Sequence, residues 1–220
     1  MARTTPDGAA EAPSPLVTAV RHIEANEGLD RPAAALQKLA EAVHRPGVVD
    51  DVLTGKPIGH AAHPLMTDLP IGFWTSTGVL DLIGGRSSRK AADRLLALGI
   101  LSAVPTVATG LAEWLRADTS SRRVGVVHAN ANGVGLGFYV ASWVARKRGQ
   151  RIKGVLLALV GATFATIGGY LGGHMTVARK IGTRDPAFAV PGDPSSDGVI
   201  APADGTFADA PHAPHAPDTP

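Results

Sequence analysis

The sequence predicts an all-α integral membrane protein built on a four-helix bundle, and three observations predict it. First, apolar segments at residues 63–84, 95–115, 124–145 and 152–175 are each near the roughly 20 residues a helix needs to cross about 30 Å of hydrocarbon. Second, short basic loops separate them: Arg86, Arg89 and Lys90; Arg116, Arg122 and Arg123; Arg146, Lys147, Arg148 and Arg151. Third, His63 starts the first segment, Glu113 ends the second, His128 starts the third and His174 ends the fourth. Alternating crossings would bring all four to one side at similar depth. A charged group in lipid costs roughly 2.5–3.5 kcal/mol on insertion scales, so a converging set points to a functional site.

Composition agrees. The chain has 220 residues, of which 45% are hydrophobic and only 18% charged, against about 25% charged in soluble domains. There is no cysteine, which excludes disulfides, thiolate metal sites and cysteine nucleophiles. A formal net charge of +2 gives no footprint for nucleic acid, because the basic residues cluster between apolar segments. No nucleophile–histidine–acid set, phosphate loop or paired carboxylates suggests a hydrolase.

In chain order, residues 1–15 are polar and rich in Pro and Ala, with no signal-peptide pattern, and are expected to be a disordered leader. Residues 16–58 form an amphipathic helical region and connector, broken near Gly28 and Pro32. Its second helix places Ala33, Leu36, Leu39, Ala40 and Val43 on one face, which is expected to pack on the protein's own bundle. Residues 59–184 hold the four spans. Residues 185–220, rich in Pro, Asp, Ala and Gly and carrying His212 and His215, are expected to be a disordered tail. The two loops far from the histidines are the more basic, which favours a cytoplasmic far side by the positive-inside rule; exporting a long N-terminal segment without a signal peptide argues against it.

The hairpin is written twice. Placing His63 over His128, an offset of 65, puts Gly72-Phe73-Trp74 over Gly137-Phe138-Tyr139. Placing Leu95-Leu96-Ala97-Leu98 over Leu156-Leu157-Ala158-Leu159, an offset of 61, puts Glu113 on His174. A duplicated two-helix unit follows, with its pseudo-two-fold axis along the membrane normal. Helical spacing then gives inward stripes: His63, Thr67, Pro70, Trp74, Thr77 and Asp81; Ser102, Thr106, Thr109 and Glu113; His128, Asn132, Gly135 and Tyr139; Thr163, Tyr170 and His174. Gly133, Gly135 and Gly137, with Gly168, Gly169, Gly172 and Gly173, would allow close helix approach or wall a slot for a planar cofactor.

Leu53-x-Gly55-x-Pro57-x-Gly59-His60-x-x-His63-Pro64, followed by Asp68-Leu69-Pro70-Ile71-Gly72, resembles an uncharacterised family of bacterial integral membrane proteins, some fused to a Rieske-type iron–sulfur domain. Gly169-Tyr170-Leu171-Gly172-Gly173-His174 and the His128–Asn132 pair resemble the same family's later motifs. The resemblance spans residues 53–182. It implies a multi-pass protein of a bacterial cell membrane, with a lipid bilayer as partner and a redox neighbourhood. The chain itself holds no iron–sulfur cluster, because a Rieske centre needs two cysteines.

Three readings of the polar cluster stay open. Two of His63, His128 and His174 are axial ligands of a haem b; or the three imidazoles and Glu113 hold a transition metal; or the groups satisfy one another and lock the bundle or handle protons. His60, Asp68, Asn132 and Tyr170 are supporting candidates, with Asp68 a partner that could orient a ligand histidine. Asp81, the last residue of the first inward stripe, is an intramembrane or near-interface acid, with a plain helix-end acid near Arg86 as the alternative. A redox partner and a homo-oligomer are compatible with the pattern.

Overall fold

Each long segment ends where the backbone is given a reason to stop. In the computed structural model, which describes residues 13–44 and 46–188, the helices are α1 (Pro15–Ala25), α2 (Asp30–Val43), α3 (Val48–Thr54), α4 (Ala62–Ile83), α5 (Arg89–Trp114), α6 (Thr119–Lys147) and α7 (Arg151–Gly173). A π turn, His174–Ala178, extends α7. The described residues contain no strand, only an isolated bridge between His60 and Arg184. Most of the expected leader, and the tail from residue 189 with its two histidines, lie outside the described residues.

Capping explains the starts. Ser14 accepts from the Val17 amide at 3.3 Å, with Pro15 in the first turn of α1. Asp118 accepts from the Ser121 amide at 2.9 Å to open α6. Gly55 closes α3 at φ 78°, and a Cβ there would lie 2.0 Å from the His60 carbonyl oxygen, so only glycine lets the chain turn into α4.

Packing is built on small residues. α4 lies along α5 and α6 along α7, while α5 meets α6 and α4 meets α7. Trp74 rests on Gly99, and Tyr139 rests on Gly161, which also approaches Gly135. Across the centre, the Trp74 and Tyr139 rings stack with centroids 4.0 Å apart. The outer faces are apolar instead: Leu101 and Val104 on α5, Leu82 and Ile83 on α4, and Ile152 and Leu156 on α7 are each more than half exposed. Small and polar inside, large and apolar outside is the inverse of a soluble protein. Two helices, Arg89–Trp114 and Arg151–Ala178, are long and apolar enough to cross a membrane. α4 and α6 fall short of that measure because they carry the histidines, Asp68, Asn130, Asn132 and a basic first turn.

Similar bonds recur in the two hairpins, in a different register from the one expected for a repeat. His63 and His128, 65 apart, bond the carbonyls of Thr106 and Gly168, which are 62 apart. Thr77 and Ser142 donate to the carbonyls of Ala92 and Gly154, again 62 apart. These bonds relate the second helices by 62 and not 61, a register that would set Glu113 against Met175, and His174 against Ala112. By composition the leucine run aligns better at 61, residue for residue. Burial favours 62, at which Leu96 (0% exposed) stands against Ala158 (8%).

The amphipathic region packs on the helical body. Ala33 and Ala40 of α2 join Trp114 and Val126, and Val20 of α1 joins Val124 and Leu171. Leu39, expected on the same face, is half exposed.

Candidate functional site

Two of the four expected site residues meet. His63, in the first turn of α4, and His128, one-third along α6, face each other with ring centroids 6.2 Å apart and planes at 77°. The His63 Nδ1 lies 2.9 Å from the Thr106 carbonyl oxygen and 3.2 Å from the Thr109 hydroxyl. The His128 Nδ1 lies 2.8 Å from the Gly168 carbonyl oxygen. A carbonyl can only accept, so each Nδ1 carries the proton, and in the neutral ring each Nε2 keeps its lone pair. Both rings lie against glycine: a Cβ on Gly110 would come 2.9 Å from the His63 ring, and one on Gly172 3.0 Å from the His128 ring. Asn132 runs beneath His128, donating to its carbonyl at 3.0 Å, and is seated on Gly168.

Glu113 and His174 are held by other partners. Glu113 accepts from the Thr183 amide at 3.0 Å and from its hydroxyl at 2.9 Å, tying the segment after α7 to the end of α5. His174, displaced by the π turn, bonds Glu24 of α1 at 3.0 Å. Among the described residues no group of three or more His, Cys, Asp or Glu is arranged to hold a metal. His60 is exposed outside α4, bonded to the Ile58 carbonyl and set 4.7 Å from the Phe188 ring. Asp68 is exposed and orients neither histidine. Tyr170 is 42% exposed and Thr163 also faces outward, so the stripe expected on α7 is not its inner face. That face is Gly154, Ala158, Gly161, Gly168 and Leu171. Of the glycines expected to wall a slot, Gly133, Gly137, Gly169 and Gly173 have nothing within 4 Å of a would-be Cβ.

The opposite end holds a second polar centre. Asp81, the last residue of the first inward stripe, is buried between Arg146 and Arg151 and not paired with Arg86, its side chain 2% exposed and that of Arg146 1%. Arg146 also reaches Asp93 at 3.1 Å, and Arg151 reaches it at 2.5 Å. Asp81 and Arg146 are 65 apart, as His63 and His128 are. That shared offset was the available signal for the pair, and it was missed. Eighteen residues of α4 separate His63 from Asp81, or about 27 Å at 1.5 Å per residue, close to the thickness of a hydrocarbon core.

Ion pairs fasten the N-terminal helices over the histidine end. Arg123 forks onto both carboxylate oxygens of Asp30 at 2.7 and 2.9 Å, and this holds the Asp30 carboxyl below its ordinary value. Arg116 reaches Asp50 at 3.1 Å. Burial pushes the Asp118 carboxyl up, but the Ser121 amide, the Ser120 and Ser121 hydroxyls and Arg179 together draw it lower than usual.

With this geometry in hand, the chain matches a family described as predicted membrane protein (DUF2231) over residues 59–185. The match takes in all of α4–α7 and ends at Asp185, whose amide bonds the Gly59 carbonyl at 3.0 Å and closes that segment on itself. No curated protein and no solved structure matches the chain.

Proposed function

The chain belongs to this family of predicted membrane proteins, and from that premise we propose that α4–α7 form a four-span bundle, a duplicated hairpin, whose His63–His128 pair binds haem b for electron transfer. The observation that carries the reading is the matched bonding of the two rings. Each Nδ1 is spent on a main-chain carbonyl of the partner helix, which is how ligand histidines are commonly fixed in tautomer and orientation. The His63 Nε2 remains to bind, and the His128 Nε2 meets only the Asn132 amide nitrogen, at 3.3 Å, which a ligand would displace. The two rings stand 6.2 Å apart, centroid to centroid, and would supply the two imidazole ligands that a haem b accepts.

The donor set favours haem over a bare ion. A closed zinc site takes four protein ligands, whereas haem brings four nitrogens and asks for one or two axial residues. His63 and His128 are two, with no third donor grouped beside them among the described residues. Haem b would supply one-electron chemistry at its iron. The chain's own part is to hold two imidazoles by carbonyls, seat them on Gly110 and Gly172, and cover that end with α1 and α2. Apolar outer faces on α4 and α6 as well as on α5 and α7 support four spans in a multi-pass protein of the cell membrane.

A second reading has its own observation: the same bonds tie α4 to α5 and α6 to α7, so the pair can serve as a structural polar lock. An absorption spectrum of detergent-purified protein separates the two. A Soret band that is lost in His63→Ala and in His128→Ala, and kept in the exposed His60→Ala, supports haem. Colourless protein that still folds, and loses only stability in the same variants, defeats it in favour of the lock.

A further inference from the structure

We propose that the end of the bundle opposite the histidines holds the phosphate of an anionic phospholipid headgroup. A cavity of about 340 Å³ opens there between the α4–α5 turn and the start of α7. Arg86, Arg89 and Arg151 line it together with Leu82, Ile152 and Leu156, and Asp81, already paired with Arg146 and Arg151, also lines it. Arg151 is committed, since with Arg146 it balances Asp81 and Asp93 one for one. Arg86 and Arg89 are exposed, and among the described residues no acid pairs with either. The mouth of the cavity therefore carries two uncompensated guanidinium groups, whose donor forks match phosphate oxygens.

The apolar lining identifies the source of the phosphate. Leu82, Ile152 and Leu156 are 69%, 79% and 58% exposed. A free phosphate would use the arginines and leave these three side chains in water. A phospholipid uses both kinds of side chain, placing its phosphate on the arginines and the start of an acyl chain along the leucine and isoleucine surface. The depth agrees, because Trp143 with Lys147 5.4 Å above its ring lies at the same end of α6, where aromatic residues mark the edge of the hydrocarbon. So does the charge: residues 81–94 and 146–153 hold nine Lys and Arg against two Asp, a surface suited to an anionic leaflet.

This proposal rests on reading α4–α7 as membrane-embedded, and its test keeps the two apart. The full chain, purified in detergent, is titrated with phosphatidylglycerol, phosphatidylcholine and inorganic phosphate, reading thermal stability and bound lipid by native mass spectrometry. Phosphatidylglycerol should bind and stabilise, phosphatidylcholine and inorganic phosphate should do neither, and Arg86→Gln with Arg89→Gln should weaken binding about thirty-fold from the share each basic residue contributes at such a surface. Lys90→Gln with Arg94→Gln, outside the cavity lining, should change it less than three-fold. Equal binding of both lipids, equal loss in the two double variants, or saturation by inorganic phosphate alone each overturns the site. Protein that stays monodisperse without detergent overturns the membrane reading itself.

Discussion

Adjacent glycines in α7 offer a controlled perturbation of the histidine pair. Gly172 and Gly173 differ in one respect, which is the side of the helix they face. A Cβ on Gly172 would lie 3.0 Å from the Cε1 and 3.3 Å from the Nδ1 of His128, whereas one on Gly173 meets nothing within 4 Å. His128 cannot easily yield, because its Nδ1 is held at 2.8 Å by the Gly168 carbonyl and Asn132 lies beneath it. Gly172→Ala therefore sets an overpacking cost of about 1–3 kcal/mol against a helix-propensity gain of about 1 kcal/mol. Gly173→Ala keeps the gain and avoids the cost. The two variants should differ by about 2 kcal/mol, or roughly 4–8 °C in Tm for a chain of this size, with Gly173→Ala the more stable. Thermal unfolding in one detergent, followed by helical circular dichroism, reads the difference. Equal shifts in the same direction would refute the facing of α7 described above, and with it the seat of His128.

Three further predictions concern other parts of the molecule. Arg146→Gln removes one of two partners from buried Asp81 and should cost about 3 kcal/mol, the low end for a broken buried pair because Arg151 remains; exposed Arg86→Gln should stay within about 0.5 kcal/mol, both read from denaturation in detergent. Asp118→Ala removes the cap of α6 and should cost about 1 kcal/mol. Because the folded-state carboxyl lies below its ordinary value, that contribution is present above the ordinary carboxylate range and lost as pH falls through the folded value, so a Tm profile from pH 6 to 3 should be flatter in the variant than in the parent. Reporter fusions after Pro57 and after Pro186 should report one compartment, since four crossings return the chain to its starting face; opposite compartments would eliminate the four-span topology.

How much was legible depended on which residues mark the inner face. On α4 and α5 that face is polar, and Thr77, Thr109 and Glu113, read from spacing alone, are buried. On α7 it is glycine and alanine, while the polar residues Thr163 and Tyr170 face outward. Polarity is a guide to the interior only where a bond partner waits there, and α7 contributes its backbone instead. The placement of His63 and His128 at one end was legible in their positions at the starts of the first and third apolar segments. The parting of Glu113 and His174 from them was not, because their partners, Thr183 and Glu24, lie 70 and 150 residues away along the chain. Such long-range pairs leave no local spacing to read.

The register of the proposed duplication carries a physical lesson of its own. A shift of one residue turns a helix by about 100°, so offsets of 61 and 62 describe different faces even where the leucines align. At the first-helix offset of 65, three pairs of equivalent residues touch across the centre: His63 with His128, Trp74 with Tyr139, and Asp81 with Arg146. Residues on a two-fold axis must meet their own copies, as in any self-complementary interface. Two aromatic rings or two imidazoles tolerate that meeting, but two aspartates or two arginines at the same point would repel. The departure from identity at Asp81 and Arg146 is thus what a symmetric hairpin pair needs once its halves lie in one chain and can differ. The other departures, Glu113 against Met175 and Ala112 against His174, lie off the axis, where the N-terminal helices and the segment after α7 add partners the first hairpin and the second do not share. Identity is kept where the imidazoles face each other and relaxed where the surroundings differ, which is the pattern expected if the paired histidines are what the symmetry serves.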